Sequence, residues 1–301
     1  MTGADARNTS SSTPSSVKPP AKSNWFTVPA TVQRVFDRFP LIVYAENELP
    51  QRAPRRSDLA TLYIFTTPAS AHNGSPSFNP ACLKWQAYLR FHHINFKTIP
   101  SSNHASPTGV LPFVIPPTTS RPSSKEPIPS GKILKWATAQ SGYPESLHDV
   151  RYEAYSSLLD HHVRNAWLFT LYIDNSNSAS VAKRLYINPT SSNTFVRFAL
   201  MRQLKNAARD ELLKYSSIID EDDLYADAKQ AFQALSTLLG DNNHFFGTDQ
   251  PNLFDAGVFA YTHLLLDINM GWKVTRMADG LRRFENLVQH RQRILSTYFE
   301  G

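Results

Sequence analysis

The sequence predicts two fold classes in one chain, an α/β domain followed by an all-α bundle. Between residues 59 and 138 short apolar strands alternate with helical stretches. From residue 146 onward nearly all apolar residues recur at helical spacing. Most of the 21 prolines lie before residue 130, so the front of the chain is richer in loops than the back. A length of 301 residues holds two modest domains, and 41% hydrophobic against 19% charged residues is ordinary for a globular protein with a real core.

Residues 1–24 form a tail expected to be disordered, since Val17 is their one large aliphatic residue after Met1. The tail has no apolar run, which excludes a secretory signal. Its Ser-rich stretch with Arg7, Lys18 and Lys22 slightly resembles a transit peptide, but Pro14, Pro19 and Pro20 forbid the amphipathic helix that needs. Residues 25–58 read as an N-terminal arm. Trp25 and Phe26 open it, Pro29 suits a helix start, and Val32, Val35, Phe36 and Phe39 fall at i, i+3, i+4 and i+7 before Pro40 stops the helix. Leu41–Tyr44 is extended, and a polar loop follows.

Residues 59–140 read as one α/β domain. Leu62–Phe65 is a short buried strand, residues 66–80 a turn-rich loop, and 81–93 a helix with Leu83, Ala87, Tyr88 and Phe91 inward and Lys84, Gln86 and Arg90 outward. Ile94–Ile99 alternates as a strand should, and 108–115 is a strand entered through a proline. A polar insertion precedes a helix at 131–138, with room for a fourth strand near Ile128.

Residues 146–301 read as the helical domain. One face of a long helix ending near Asp174 is traced by Tyr152, Tyr155, Leu158, Leu159, Val163, Ala166, Trp167 and Leu171. Further helices are expected at 195–219, at 224–239 with Gly240 as cap, at 252–270 and at 281–299. No internal repeat is visible.

Composition excludes several function classes. The lone Cys82 leaves no intramolecular disulfide and no Cys-x-x-Cys, which fits a reducing compartment. The net charge of +6 is spread along the chain with no run of five basic residues, so no nucleic-acid partner is expected. The greasiest runs, 166–173 and 258–266, are too short to span a bilayer.

Two local motifs give the arrangement a resemblance. Val110-Leu111-Pro112-Phe113 is similar to the segment that carries the cis proline of thioredoxin-like domains, where an uncommon cis bond turns backbone groups outward at a binding edge. In Asn252-Leu253-Phe254-Asp255, Asn252 can cap a helix while Asp255 reaches back to the cap amide. This resembles the Ser/Thr-x-x-Asp box of glutathione transferases, with Asn substituted. Together the motifs imply a glutathione-transferase-like fold: a thioredoxin-like domain followed by a helical bundle.

More closely, residues 59–301 resemble the metaxin family, subunits of the sorting and assembly machinery of the mitochondrial outer membrane. The resemblance lies in 79–90, 106–113, 149–174 and 245–256. The arm, Phe39–Tyr44 and Leu49–Pro54, is similar to the fungal branch and its receptor subunit for β-barrel precursors. No transmembrane tail is expected after the last helix, which fits that subunit better than tail-anchored relatives.

Glutathione chemistry needs a thiol-activating residue just past the first strand and an acid-Ser pair for the γ-glutamyl group. Only Thr67 and Ser130 stand near those places, and the acid is missing. Cys82, in the first turn of its helix, reads as a packed small residue or a dipole-activated nucleophile. His92-His93 and His161-His162 are adjacent pairs pointing about 100° apart, without a second pair at zinc spacing.

The resemblance implies a non-enzymatic peripheral subunit on the cytosolic face of the mitochondrial outer membrane, without cofactor or metal. Its implied partners are the β-barrel core subunit, a second metaxin-type subunit, β-barrel precursors and the membrane surface. The candidate partner-binding residues are Trp25, Phe26, Val32, Val35, Phe36, Phe39, Tyr44, Arg52, Arg55 and Arg56. The arm aromatics pack on this chain's own core, on a partner or in the headgroup layer. The arginines are solvated, or meet lipid phosphates or an acidic barrel loop. The alternative is a soluble glutathione-transferase-like enzyme with a degenerate motif.

Overall fold

A computed structural model describes residues 58–117, 126–142, 149–214 and 216–300. The candidate arm residues, Trp25 through Arg56, lie outside the described residues.

Strand β1 (Ala60–Ile64) is followed by a short helix α1 (Pro68–His72), helix α2 (Pro80–Phe91) and strand β2 (Phe96–Pro100). Strands β3 (Phe113–Ile115) and β4 (Ile128–Pro129) and helix α3 (Ser130–Ser141) complete the α/β part. The sheet order is β2-β1-β3-β4. β1 and β2 run parallel, Leu62 opposite Thr98, while β3 lies antiparallel to both β1 and β4. The β1–α2–β2 crossover and the β3–β4 pair make the thioredoxin-like topology. Leu62, Ile64, Leu83, Tyr88, Val114 and Ile133 are fully buried between sheet and helices.

Helix α2 starts where its sequence dictates. The Asn79 side chain accepts the Cys82 amide at 3.1 Å, and Pro80 needs no amide partner at the first helical position. One expectation fails here. Gln86, placed on the outer face by periodicity, is fully buried, its Oε1 accepting from Ser77 N (2.8 Å) and its Nε2 donating to Ser75 O (2.9 Å). The loop after β1 covers that face, and a buried amide is tolerated because both its ends are paired.

The helical run α4 (152–173) alternates α-helical turns, Tyr152–Leu158 and Arg164–Leu168, with π-helical turns, Leu159–Val163 and Phe169–Ile173. It stops at Asp174, which leaves helical geometry and caps the next run, α5 (175–187). That run, α6 (Thr194–Leu212), α7 (Glu221–Leu239), α8 (Leu253–Leu266), α9 (Arg276–Leu281) and α10 (Glu285–Tyr298) complete the bundle. Runs α5 and α9 have no counterpart in the sequence expectations. Gly240 ends α7 with φ 54°, a backbone geometry costly for residues with a Cβ.

Helix α8 is mostly apolar and almost all of it is buried, the signature of a central helix. It packs on α2 and so joins bundle to sheet. Gly257 lets α8 lie close to α4, since a Cβ there would sit 3.0 Å from the Leu159 side chain. No helix among the described residues is long and apolar enough to cross a membrane.

Candidate functional site

In a thioredoxin-like domain the ligand edge lies beyond the end of β1, beside the cis proline. The Leu111–Pro112 bond is cis. The amide of Leu111, just before it, is engaged within the chain and donates to Asn103 Oδ1 at 3.0 Å. The Val110 carbonyl accepts the Ser106 hydroxyl. Both backbone groups are thus met by side chains of residues 103–106. Phe113, the next residue, stacks on Tyr63 with ring centroids 4.5 Å apart.

Thr67 follows β1 but acts as the N-cap of α1. Its Oγ1 accepts the Ser70 amide at 3.1 Å and lies 2.8 Å from the Ser70 hydroxyl. Ser130 is the first residue of α3, directly after β4. The space past β1 is filled by aromatic rings, with Tyr186 from α5 standing 5.2 Å from Phe65 and 5.1 Å from Phe78. The Tyr186 hydroxyl donates to Phe78 O (3.2 Å) and accepts from Asn79 Nδ2 (3.3 Å). Burial pushes the Tyr172 and Tyr186 phenols up, so both stay neutral donors.

Cys82 is fully buried beneath these rings. Burial pushes its thiol up to about 12, outweighing the Phe65 amide that donates to its sulfur at 3.5 Å. It is a packed residue rather than a nucleophile. His92 ends α2 with Nδ1 3.1 Å from the Ser141 hydroxyl, and His162 pairs with Asp227 at 3.3 Å on the surface. Among the described residues no group of His, Cys, Asp and Glu has metal-binding geometry.

The second site is the start of α8. Asn252 Oδ1 accepts the amides of Phe254 (2.8 Å) and Asp255 (3.2 Å), and Asp255 Oδ2 accepts the Asn252 amide (2.9 Å), closing a capping box. Asp255 Oδ1 goes further. It accepts the Phe245 amide at 3.0 Å and meets His290 Nε2 from α10 at 2.8 Å. Asp255 and His290 are both wholly buried, and the imidazole packs edge-on to Phe245. His290 was missed in the sequence because it lies outside any spacing that links it to Asp255. Through one carboxylate the cluster ties the Phe245 and Asn252 amides to His290 of α10, an architectural role.

A family model described as the glutathione S-transferase N-terminal domain matches residues 80–177, and one for the C-terminal domain matches residues 228–294. Metaxin-3 of Xenopus laevis is 28% identical over 235 residues, covering 75% of this chain and 74% of that protein. Metaxin-2 of Homo sapiens is 25% identical over 230 residues, covering 74% and 84%. Metaxin-3 of Danio rerio is 33% identical over 153 residues, 48% of this chain and about half (47%) of the relative. Among solved structures, a glutathione S-transferase of Ceriporiopsis subvermispora in complex with glutathione superposes with a TM-score of 0.52 at 13% identity, covering 81% and 99%. That likeness speaks for the fold alone.

Proposed function

From the premise that this chain is a metaxin-type protein of glutathione-transferase-like fold, we propose that it is a non-enzymatic subunit of the mitochondrial outer-membrane sorting and assembly machinery. It sits peripherally on the cytosolic face and helps receive β-barrel precursors. The β-barrel core subunit and a second metaxin-type subunit are its partners, with no cofactor and no nucleic acid. The observation that carries this reading is the likeness to metaxins over three quarters of the chain. Its non-enzymatic half is supported by the ligand edge, where Asn103, Ser106 and Tyr186 occupy the groups and space a glutathione would need. In this reading residues 25–58 are the partner-binding arm, and 59–140 and 146–301 are the thioredoxin-like and helical domains.

The test is isolation of tagged protein from mitochondria, with native-gel sizing and carbonate extraction. The expected result is a high-mass assembly containing an outer-membrane barrel, from which carbonate releases the chain. A small soluble species that binds immobilised glutathione and turns over a generic electrophile would establish the enzyme reading instead.

A further inference from the structure

Helix α6 departs from the rest of the bundle. Only Ala208 and Leu212 along its 19 residues are buried, and an Arg164–Glu211 pair at 2.9 Å ties its far end to α4. Its first turn projects Phe195, 86% exposed, and Phe198, 70% exposed. At about 100° per residue, Phe195, Phe198, Arg202 and Arg209 share the outer face, with Lys205 at its margin. No acidic residue occurs on the helix before Asp210. Among the described residues none of these cations has a carboxylate partner, and Lys205 donates to Asn175 Oδ1 instead. Elsewhere on the surface exposed arginines do find carboxylates, Arg276 with Asp222 and Arg282 with Asp279.

We propose that α6 rests on an anionic lipid bilayer, its first-turn phenylalanines entering the interfacial layer while Arg202, Lys205 and Arg209 meet lipid phosphates. The proposal deepens the peripheral-membrane reading above and rests on it. Two features select a bilayer over a partner helix. A helix docked in a groove reads apolar anchors at i, i+3, i+4 and i+7. Here Phe195, Phe198 and Ala199 supply the first turn, but the i+7 position is Arg202. The apolar contact is therefore one turn deep, the reach of shallow insertion. Among the described residues the cations behind it have no carboxylate partner and are of one sign, which suits the negative potential of a phosphate surface rather than a single acidic side chain.

The experiment is co-sedimentation of the purified full-length protein with phosphatidylcholine vesicles, with and without phosphatidylserine. Partition should be on the order of 10-fold stronger on the anionic vesicles and weaken as salt is raised. The double variant Phe195→Ser/Phe198→Ser should lower anionic binding by about 10-fold. Arg202→Glu/Arg209→Glu should abolish the anionic preference, and both variants should melt like the parent because the side chains are exposed. Equal partition on the two vesicles, or anionic binding unmoved by either variant, overturns the proposal. So does loss of the high-mass assembly in the Phe variant with vesicle binding intact, which would mean that the face docks protein. Anionic binding that follows the expected pattern, by a chain absent from outer-membrane assemblies, would leave this surface standing and sink the subunit reading.

Discussion

The cis-proline edge and the Asp255 corner both use side chains to occupy backbone amides, but one does so at the surface and the other in the dry core. Asn103, which holds the Leu111 amide, is exposed, so water can take its place. Asp255 and His290 are wholly excluded from solvent, and nothing replaces a lost acceptor there. The same kind of hydrogen bond is thus cheap to lose in one half of the molecule and expensive in the other.

Asp255→Ala should have the largest effect. It strands the Phe245 and Asn252 amides and His290 Nε2 together, and denaturant titration should show a loss of about 3–5 kcal/mol. A loss near 1 kcal/mol would mean that water reaches the corner and would erase the contrast.

The far end of α8 extends the comparison to pH. Burial, helped by Arg291 and opposed by Asp267, lowers the His263 imidazole to about 4. An unfolded histidine titrates near 6.5, so protons favour the unfolded chain as pH falls. His263 should therefore withdraw up to about 3 kcal/mol between pH 6.5 and 4, with nothing lost above that window. Melting curves of the parent and His263→Gln across that range should diverge, with the variant less sensitive to acid. Parallel curves would show that His263 is hydrated.

Asn252→Ala removes the acceptor of two amides in a partly open cap and should cost about 1–2 kcal/mol, read from the thermal midpoint. It ranks between the two extremes because the site is half-buried. Asn103→Ala, at the cis-proline edge, should cost less than about 1 kcal/mol and should not create glutathione binding, since Tyr186 still fills the space past β1. Calorimetric glutathione binding by this variant would show that Asn103 alone closes the edge.

Part of this contrast was legible from residue types and spacing. Asn252 and Asp255 stand three apart, and the stripe of α10 repeats at helical spacing, so their partners lie within a turn or two. Such bonds form in any context that lets the helix form, and they fix the order of strands and helices and hence the fold class. The candidate arm residues lie outside the described residues, so the sequence remains the source for them.

Tertiary structure alone decided the rest. No helix is expected between Asp174 and Phe195, yet α5 starts at residue 175, where buried Asn177 accepts the amides of Lys273 (2.8 Å) and Val274 (3.0 Å) and donates to Val274 O (3.0 Å). Gln86 reads as surface and lies in the core, and His290 meets a carboxylate 35 positions away. A polar side chain chooses between water and a distant partner only after packing has removed the water, and spacing along the chain carries no record of that choice.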